Sequence, residues 1–166
     1  TRYGTAIVRQ LEREGIFTTA SAIAIQRSRD KLRATQIMAK AVDVPKTVFS
    51  RNSTDIDGML DQVGGAPVII KLGQSTHGNG VVLADTKKAA KSALQAFYIY
   101  NEDGTNVMIQ EFVEESAGVD IRAFVVGGRV VASMKRQSLD DDFRSNLHRG
   151  GEGVAIKLTD EERKVV

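Results

Sequence analysis

Apolar residues along this chain alternate between the helical and the extended repeat. Helical spacing, with its caps and glycine or proline stops, predicts helices over 4–14, over 21–26, from Ser28 to before Pro45, from Ser53 to Gly64-Gly65, and over 86–98. Apolar runs predict strands over 46–50, 107–113, 119–126, 129–134 and 154–158, with a further pair inside 67–84. Helices and strands mixed in this way favour an α+β protein.

The central strand pair encloses a polar, glycine-rich loop. Val68–Leu72 is an apolar run with one lysine, Lys71, and the loop 73–80 that follows contains three glycines. A lysine in a buried strand is costly unless an anion meets it, and glycines let backbone N–H groups approach that anion. The pattern predicts a phosphate site made of Lys71 and the loop. A hairpin loop beside an exposed lysine fits the same local pattern.

Two common phosphate loops are excluded at this position. A Walker loop needs Gly-Lys-Ser/Thr at the start of a helix, but Gly80 is followed by the apolar pair Val81-Val82. A dinucleotide fingerprint needs a glycine three residues after Gly80, where the chain has Leu83.

The pattern changes character near residue 105. Later residues read mainly as strands, with Gly127-Gly128 as a type I′ hairpin turn and a long polar segment at 137–153. We therefore predict three parts: 1–27 as the end of a preceding domain and a linker, 28–105 as a small α/β lobe, and 106–166 as the incomplete start of an antiparallel sheet lobe. Thr159 and Glu162 form a capping-box pattern that begins a last helix.

Composition narrows the classes of function. With 42% hydrophobic and 27% charged residues, the 166-residue chain has an ordinary globular composition. It has no cysteine, which excludes disulfides and a cysteine nucleophile, and its two histidines lack zinc-ligand spacing. A net charge of +2 gives no argument for nucleic acid, and no apolar run approaches the ~20 residues that span a bilayer.

Charged residues on the later strands are candidates for chemistry. Asp120 and Arg122 are two residues apart in a strand and so share one face, which Arg136 could approach. Such a face is also commonly just the solvated side of a sheet. Lys31, near the start of the helix that Ser28 is predicted to cap, is by pattern alone a solvated lysine.

Other polar candidates lie at the junction of the two lobes and in the long polar segment. Glu111 ends an apolar run at this junction, and a crevice between lobes is a preferred ligand site. Arg144, Asn146 and Arg149 are side chains that suit phosphate or carboxylate recognition, unless the segment is simply a solvated loop.

Six segments, in order, resemble the RimK group of ATP-grasp ligases. They are Ser28-Arg29-Asp30-Lys31-Leu32-Arg33, residues 64–72, residues 78–83, Gln110-Glu111-Phe112, Asp120-Ile121-Arg122, and residues 142–151, with the sequence Asp-Phe-Arg-Ser-Asn-Leu-His-Arg-Gly-Gly. The last segment is the most specific, and the resemblance covers nearly the whole chain.

The resemblance implies an ATP-grasp fold and an ATP-dependent carboxylate–amine ligase. Such an enzyme converts a carboxylate to an acyl phosphate, which an amine then attacks to give an amide. ATP, Mg²⁺ and glutamate are the implied ligands, and the implied acceptor is the C-terminus of a small-subunit ribosomal protein. A coenzyme or carrier-protein acceptor, or a nucleotide-binding module without catalysis, is the alternative. A cytoplasmic protein without membrane or direct nucleic-acid contact, homo-oligomeric at full length, is expected.

The resemblance also implies roles for individual residues. ATP contacts fall on Lys31, Lys71, Ser75, Thr76, Gly78, Gly80, Glu111, Phe112 and Asp120. Contacts with the acyl phosphate, the substrate carboxylate or the transferring phosphoryl group fall on Arg122, Arg136, Arg144 and Asn146.

One part of the family pattern has no counterpart here. The magnesium ligands of the family lie C-terminal to the Asp-Phe-Arg-Ser-Asn run, and no segment of this chain matches them. We therefore expect a truncation at both ends and negligible ligase turnover by these residues alone, because magnesium neutralises charge between the transferring phosphates.

Overall fold

The computed structural model describes residues 2–52, 54–73, 80–99, 106–139, 142–147 and 150–166. Its helices are α1 (Arg2–Arg13), α2 (Ala22–Arg29), α3 (Lys31–Met38), α4 (Ile56–Gln62), α5 (Lys87–Ile99) and α6 (Asp160–Val165). Its strands are β1 (Thr47–Ser50), β2 (Val68–Leu72), β3 (Val81–Ala84), β4 (Val107–Glu111), β5 (Val119–Val126), β6 (Arg129–Gln137) and β7 (Glu152–Ala155). The sequence Asn101-Glu102-Asp103-Gly104, which predicts a turn, lies outside the described residues.

The first sheet is antiparallel, with strand order β1-β4-β2-β3. Alternate residues of each strand point to the same side of the sheet. The apolar residues on one side pack against α4 and α5. The buried core on that face includes Leu60, Val68, Ile70, Leu94 and Ile109, each with no exposed surface. The helical spacing of apolar residues predicts both Ala89 and Ala90 on the inward side of α5. Ala90 is buried, but Ala89 is exposed.

The position of β4 differs from the predicted division near residue 105. β4 lies between β1 and β2 in the first sheet, pairing Ile109 with both Val48 and Ile70. The predicted boundary at 105 groups this strand with the second lobe, whereas its hydrogen-bonded neighbours are strands of the first sheet. The reason is that a strand's partners depend on contacts between distant segments, which the local pattern does not contain.

Helix starts agree with the sequence pattern only in part. Ser28 was predicted to cap the helix now called α3, but it lies inside α2, where its hydroxyl donates to the Ile25 carbonyl. The N-cap of α3 is Asp30, whose carboxylate accepts from the Arg33 N–H. Ser53, predicted to cap α4, lies outside the described residues, and Asp55 caps that helix. Local side chains of similar capping ability explain these errors.

The second sheet is also antiparallel, with strand order β5-β6-β7. The predicted hairpin is confirmed: β5 and β6 are joined by Gly127 and Gly128, whose φ angles are +56° and +74°. Positive φ at both turn residues is the type I′ geometry, which glycine adopts without strain. β7 spans 152–155 rather than the predicted 154–158.

The last helix has the predicted start. Thr159 and Glu162 form a complete capping box, in which each side chain accepts from the other residue's backbone N–H. Among the described residues, none of the helices has the length and apolar character that crossing a bilayer requires.

Candidate functional site

Lys71 lies on the sheet face opposite the α4–α5 core. Val68 and Ile70 of β2 belong to that core, so alternation along the strand places Ile69 and Lys71 on the other face. The strand register places Gln110 of β4 opposite Ile69 and opposite Thr47 of β1. Three neighbouring strands therefore contribute Lys71, Gln110 and Thr47 to one face.

These three side chains form a chain of hydrogen bonds. The Lys71 ammonium donates to Oε1 of Gln110 over 2.7 Å, and Nε2 of Gln110 donates to the Thr47 hydroxyl over 2.9 Å. That hydroxyl donates in turn to the Pro45 carbonyl over 2.7 Å. Because the hydroxyl proton is used on Pro45, Thr47 accepts from Gln110, which directs the amide oxygen of Gln110 towards Lys71.

Lys31 approaches the end of the same strand from α3. Its Nζ donates to the carbonyl of Leu72 over 3.1 Å and lies 3.4 Å from that of Gly73. Lys31 is the first residue of α3, directly after the Asp30 cap, so the helix start determines where its side chain begins. Two lysines that are forty positions apart in sequence thus meet where β2 enters the glycine-rich loop.

Both ammonium groups are electrostatically perturbed. Burial lowers the pKa of Lys71 below its ordinary value, and the nearby charge of Lys31 lowers it further. Burial also lowers the pKa of Lys31. Desolvation and like charge both disfavour an ammonium ion, whereas an adjacent anion favours it. This end of β2 is therefore a place where a phosphate would be bound favourably.

The glycine-rich loop is described only at its ends. Gly80 has φ +63°, and a Cβ there would lie 2.9 Å from Cδ1 of Leu72. Its carbonyl accepts from the Leu72 N–H over 2.9 Å. The predicted phosphate contacts Ser75, Thr76 and Gly78 lie outside the described residues, as does His77.

Glu111 and Phe112 follow the buried part of β4. The Glu111 carboxylate accepts from the Lys46 N–H over 2.8 Å, and the Glu111 N–H donates to the Lys46 carbonyl over 3.0 Å. Both Glu111 and Phe112 are half-buried. The Glu111 side chain is thus used to join the chain entering β1 to the end of β4.

Asp120 and Arg136 form a bidentate ion pair across the β5–β6 hairpin. They are directly opposite in the register, and Nε and Nη2 of Arg136 donate to the two carboxylate oxygens, the first over 2.7 Å. Arg136 is buried, with only 7% of its surface exposed. Burial acts to raise the pKa of Asp120, but Arg136 and the Ser145 hydroxyl outweigh it, and the net pKa is lowered.

The remaining predicted residues are more dispersed. Arg122 is exposed, on the same strand face as Asp120. Arg144 donates through Nε and Nη2 to Asp142 over 2.9 Å each, and its guanidinium lies 5.0 Å from the Phe143 ring centre. Asn146 is half-buried, and Arg149 lies outside the described residues. The structure thus brings together Lys31 with Lys71 and Asp120 with Arg136.

Three partner residues were not assigned roles from the sequence: Thr47, Gln110 and Asp142. Gln110 carried a usable signal, because it is a polar residue inside an apolar strand segment. The other two did not, because threonine and aspartate are common in loops and on exposed strand faces. Within the described ranges, no group of three or more histidine, aspartate or glutamate side chains could hold a metal ion.

Comparison with known proteins identifies the family. A model described as the RimK-like ATP-grasp domain matches residues 28–166. A protein of Aliivibrio fischeri (strain MJ11), named "Probable alpha-L-glutamate ligase", is 52% identical over 165 residues, which are 99% of this chain and 54% of that protein. The chain thus spans about half the length of the curated relatives it matches.

Solved structures agree on the fold. The crystal structure of D-cycloserine synthetase DcsG is similar with a TM-score of 0.74 at 16% identity, covering 99% of this chain and 57% of that one. D-alanine–D-alanine ligase from Bacillus anthracis is similar with a TM-score of 0.71 at 18% identity, covering 96% and 53% of the two chains. The predicted ATP-grasp fold is confirmed, and the chain belongs to the RimK-like ATP-grasp family.

Proposed function

We propose that this chain supplies the nucleotide-binding part of an ATP-dependent carboxylate–amine ligase that adds glutamate to a protein acceptor through an acyl phosphate. The acceptor we propose is the C-terminus of a small-subunit ribosomal protein. The family match and the glutamate ligase names of relatives about half identical to this chain support the reaction class. The observation that carries the proposal is the pair Lys31 and Lys71, two partly desolvated ammonium groups at the start of a glycine-rich loop.

These residues suit a triphosphate for a physical reason. Phosphoryl transfer needs positioning and positive charge around the phosphate oxygens rather than covalent chemistry by the protein. Lys31 and Lys71 supply that charge close to the loop, and Gln110 holds the Lys71 ammonium in place through a neutral acceptor. We propose that the loop 74–80, including Ser75, Thr76, Gly78 and Gly80, covers the phosphates.

The other proposed roles follow the two sheets. Glu111 and Phe112 contact adenine, largely through backbone groups, and Asp120 binds the ribose. Arg122 and Arg136 face the acyl phosphate or the substrate carboxylate, and Arg144 with Asn146 stabilises the transferring phosphoryl group. Magnesium, when bound, would neutralise charge on the β- and γ-phosphates. From the family resemblance, its ligands are proposed to lie C-terminal to the Asp-Phe-Arg-Ser-Asn run.

Thermal unfolding with and without nucleotide tests the site. A ligand that binds only the folded state stabilises it, and ATP at a hundredfold its Kd should raise Tm by about 5 to 10 °C. Lys71→Met should abolish most of that rise. Lys88→Met is the matched control, because Lys88 is an exposed lysine on α5, which packs on the opposite sheet face.

The complete reaction is tested with the natural gene product that carries these residues. Incubation with ATP, magnesium, glutamate and the ribosomal acceptor should add the mass of a glutamyl residue to the acceptor. If a coenzyme or a carrier protein gains this mass instead, that molecule is the acceptor and the ribosomal protein is not. Absence of any nucleotide-dependent Tm rise, in both this chain and the gene product, would contradict the nucleotide site itself.

A further inference from the structure

Thr47 is connected to Lys71 by a continuous chain of hydrogen bonds. The Thr47 hydroxyl donates to the Pro45 carbonyl over 2.7 Å and accepts from Nε2 of Gln110 over 2.9 Å. The other end of the same amide, Oε1, accepts from the Lys71 ammonium over 2.7 Å. Both ends of the Gln110 amide are therefore bound, one by Thr47 and the other by Lys71.

The strand register of the first sheet accounts for these contacts. Thr47 of β1 is directly opposite Gln110 of β4, whereas Lys71 of β2 is opposite Met108, two residues before Gln110. Lys71 and Gln110 are thus diagonal neighbours on one sheet face, and long side chains can span that separation. Because Gln110 lies between the other two side chains, a change at Thr47 can reach Lys71 through it.

A second pair of residues holds β1 and β4 in this register beside the chain of hydrogen bonds. The Lys46 N–H donates to the Glu111 carboxylate over 2.8 Å, and the Glu111 N–H donates to the Lys46 carbonyl over 3.0 Å. These contacts do not involve the Thr47 hydroxyl. They should therefore persist when that hydroxyl is removed, and the backbone at position 47 should stay in place.

We infer that Thr47 is a positioning residue for the Lys71 ammonium, acting through the Gln110 side chain. The inference rests on the proposed function, in which Lys71 supplies positive charge to the ATP phosphates. A hydroxyl whose proton is bound to Pro45 can only accept from Gln110, which leaves the amide oxygen to Lys71. An ammonium carries three N–H donors, so its bond to Gln110 is compatible with a bond to a phosphate oxygen.

Fixing the ammonium before nucleotide arrives favours binding for an entropic reason. A free lysine side chain samples many rotamers, and holding it in one of them costs free energy. Where the protein has already restricted the side chain, that cost is not part of the binding free energy. Loss of the Thr47 hydroxyl should release Gln110 and, with it, Lys71, so that nucleotide binding becomes weaker.

Thr47→Val tests this role, because valine is similar in shape to threonine and suits a strand but lacks the hydroxyl. Loss of one neutral hydrogen bond should weaken ATP and ADP binding by roughly three- to tenfold, measured by isothermal titration calorimetry. Thr47→Ser retains a hydroxyl and should restore most of the affinity. Thr54→Val is the matched control, since the exposed Thr54 hydroxyl donates to the Asn52 side chain, and it should leave the affinity unchanged.

A double-mutant cycle with Gln110→Met decides whether Thr47 acts through Gln110. Gln110→Met removes the middle of the chain of hydrogen bonds and should itself weaken nucleotide binding. In that background Thr47→Val should have little further effect, because the hydroxyl no longer has an amide to hold. Additive losses of affinity in the two variants would overturn the positioning role.

Nuclear magnetic resonance separates failure of this inference from failure of the proposed function. The Gln110 side-chain amide protons, identified by their loss in Gln110→Met, should exchange with water roughly three- to tenfold faster in Thr47→Val. An unchanged exchange rate would contradict the inference whether or not nucleotide binds. If wild type binds nucleotide and Thr47→Val binds it equally well, the positioning role fails alone. If neither this chain nor the natural gene product binds nucleotide, the proposed function fails, while the exchange rate still decides the contact between Thr47 and Gln110.

Discussion

Lys71 shows how a binding residue and a stabilising residue can differ. Its folded-state pKa lies below the ordinary 10.5, because burial and the Lys31 charge disfavour the ammonium. Below that lowered pKa the lysine is charged in both states, and the full cost of its burial is present. Between the lowered pKa and 10.5 the unfolded state binds more protons, so the contribution of Lys71 to the free energy of unfolding rises with pH.

We therefore predict that wild type gains stability relative to Lys71→Met as pH rises towards 10.5. The additional stabilisation by nucleotide should instead decrease as pH rises, because loss of the ammonium charge weakens phosphate binding. Urea unfolding of both proteins over this pH range, without nucleotide, measures the first effect. If the stability of wild type relative to Lys71→Met stays constant or falls as pH rises, the pKa of Lys71 is not lowered.

The residue at position 110 is predicted to influence the pKa of Lys71. Gln110→Glu places a carboxylate next to the ammonium and should raise the pKa of Lys71, whereas the similarly long Gln110→Met removes the acceptor and should lower it. The pH at which the ATP-dependent Tm rise is half lost should move up in the first variant and down in the second. Equal midpoints in wild type and both variants would mean that the Lys71–Gln110 hydrogen bond has no electrostatic effect.

At this scale the sequence predicted Lys71 but not its partners. A single lysine in an apolar run next to glycines is a local signal. The contact with Gln110 and Thr47 exists only because β4 lies between β1 and β2, so that residues 47, 71 and 110 share one face. The Asp120–Arg136 pair was easier to anticipate, since a short hairpin fixes which residues are opposite.

At the scale of single elements, the N-cap of α3 links stability to the site. Asp30→Ala removes the acceptor for the Arg33 N–H and should lower the free energy of unfolding by about 1 kcal/mol. It should also weaken the ATP-dependent Tm rise, because Lys31 is the first residue of that helix. Asp30→Asn retains a capping side chain and should recover most of the stability. Ser28→Ala, inside α2, is expected to change neither quantity appreciably.

One substitution in the β5–β6 turn is expected to raise the free energy of unfolding. Asparagine followed by glycine is preferred in type I′ turns, and a Cβ on Gly127 would meet no atom within 4 Å. Gly127→Asn should raise the free energy of unfolding by about 0.5 kcal/mol, because it restricts the unfolded chain. Gly127→Val, a β-branched residue at φ +56°, should instead lower it. The same sign for both variants in urea unfolding would contradict this turn geometry.

Elements whose residues are close together in sequence were predicted better than the residues at which helices begin and end. The hairpin was predicted from two apolar alternations around a glycine pair, since all its information is local. The α3 cap was not, because Ser28 and Asp30 are both good capping residues two positions apart. Only the structure shows that α2 continues through Ser28 to Arg29, which leaves Asp30 to begin the next helix.

At the scale of the whole molecule, the two sheets differ in how many buried apolar side chains pack against them. The buried apolar cluster is built from α4, α5 and the first sheet. The second sheet keeps large apolar side chains exposed, among them Phe124, Val126, Val131 and Val154, which are 48 to 66% exposed. Opening free energies follow buried apolar contacts, so the second sheet should open more readily.

We predict that amide hydrogen exchange reports this difference directly. Amides of β2 and β4, which pair with each other in the middle of the first sheet, should exchange at the slowest rates in the chain. Amides of β5 should exchange faster, through openings that leave β2 and β4 protected.

Leu60→Ala, at a fully buried core position, should lower the free energy of unfolding by about 2–5 kcal/mol and speed exchange in the first sheet. Phe124→Ala should leave that exchange unchanged, since Phe124 lies outside the cluster; equal protection of both sheets in wild type would mean that they unfold as one cooperative unit.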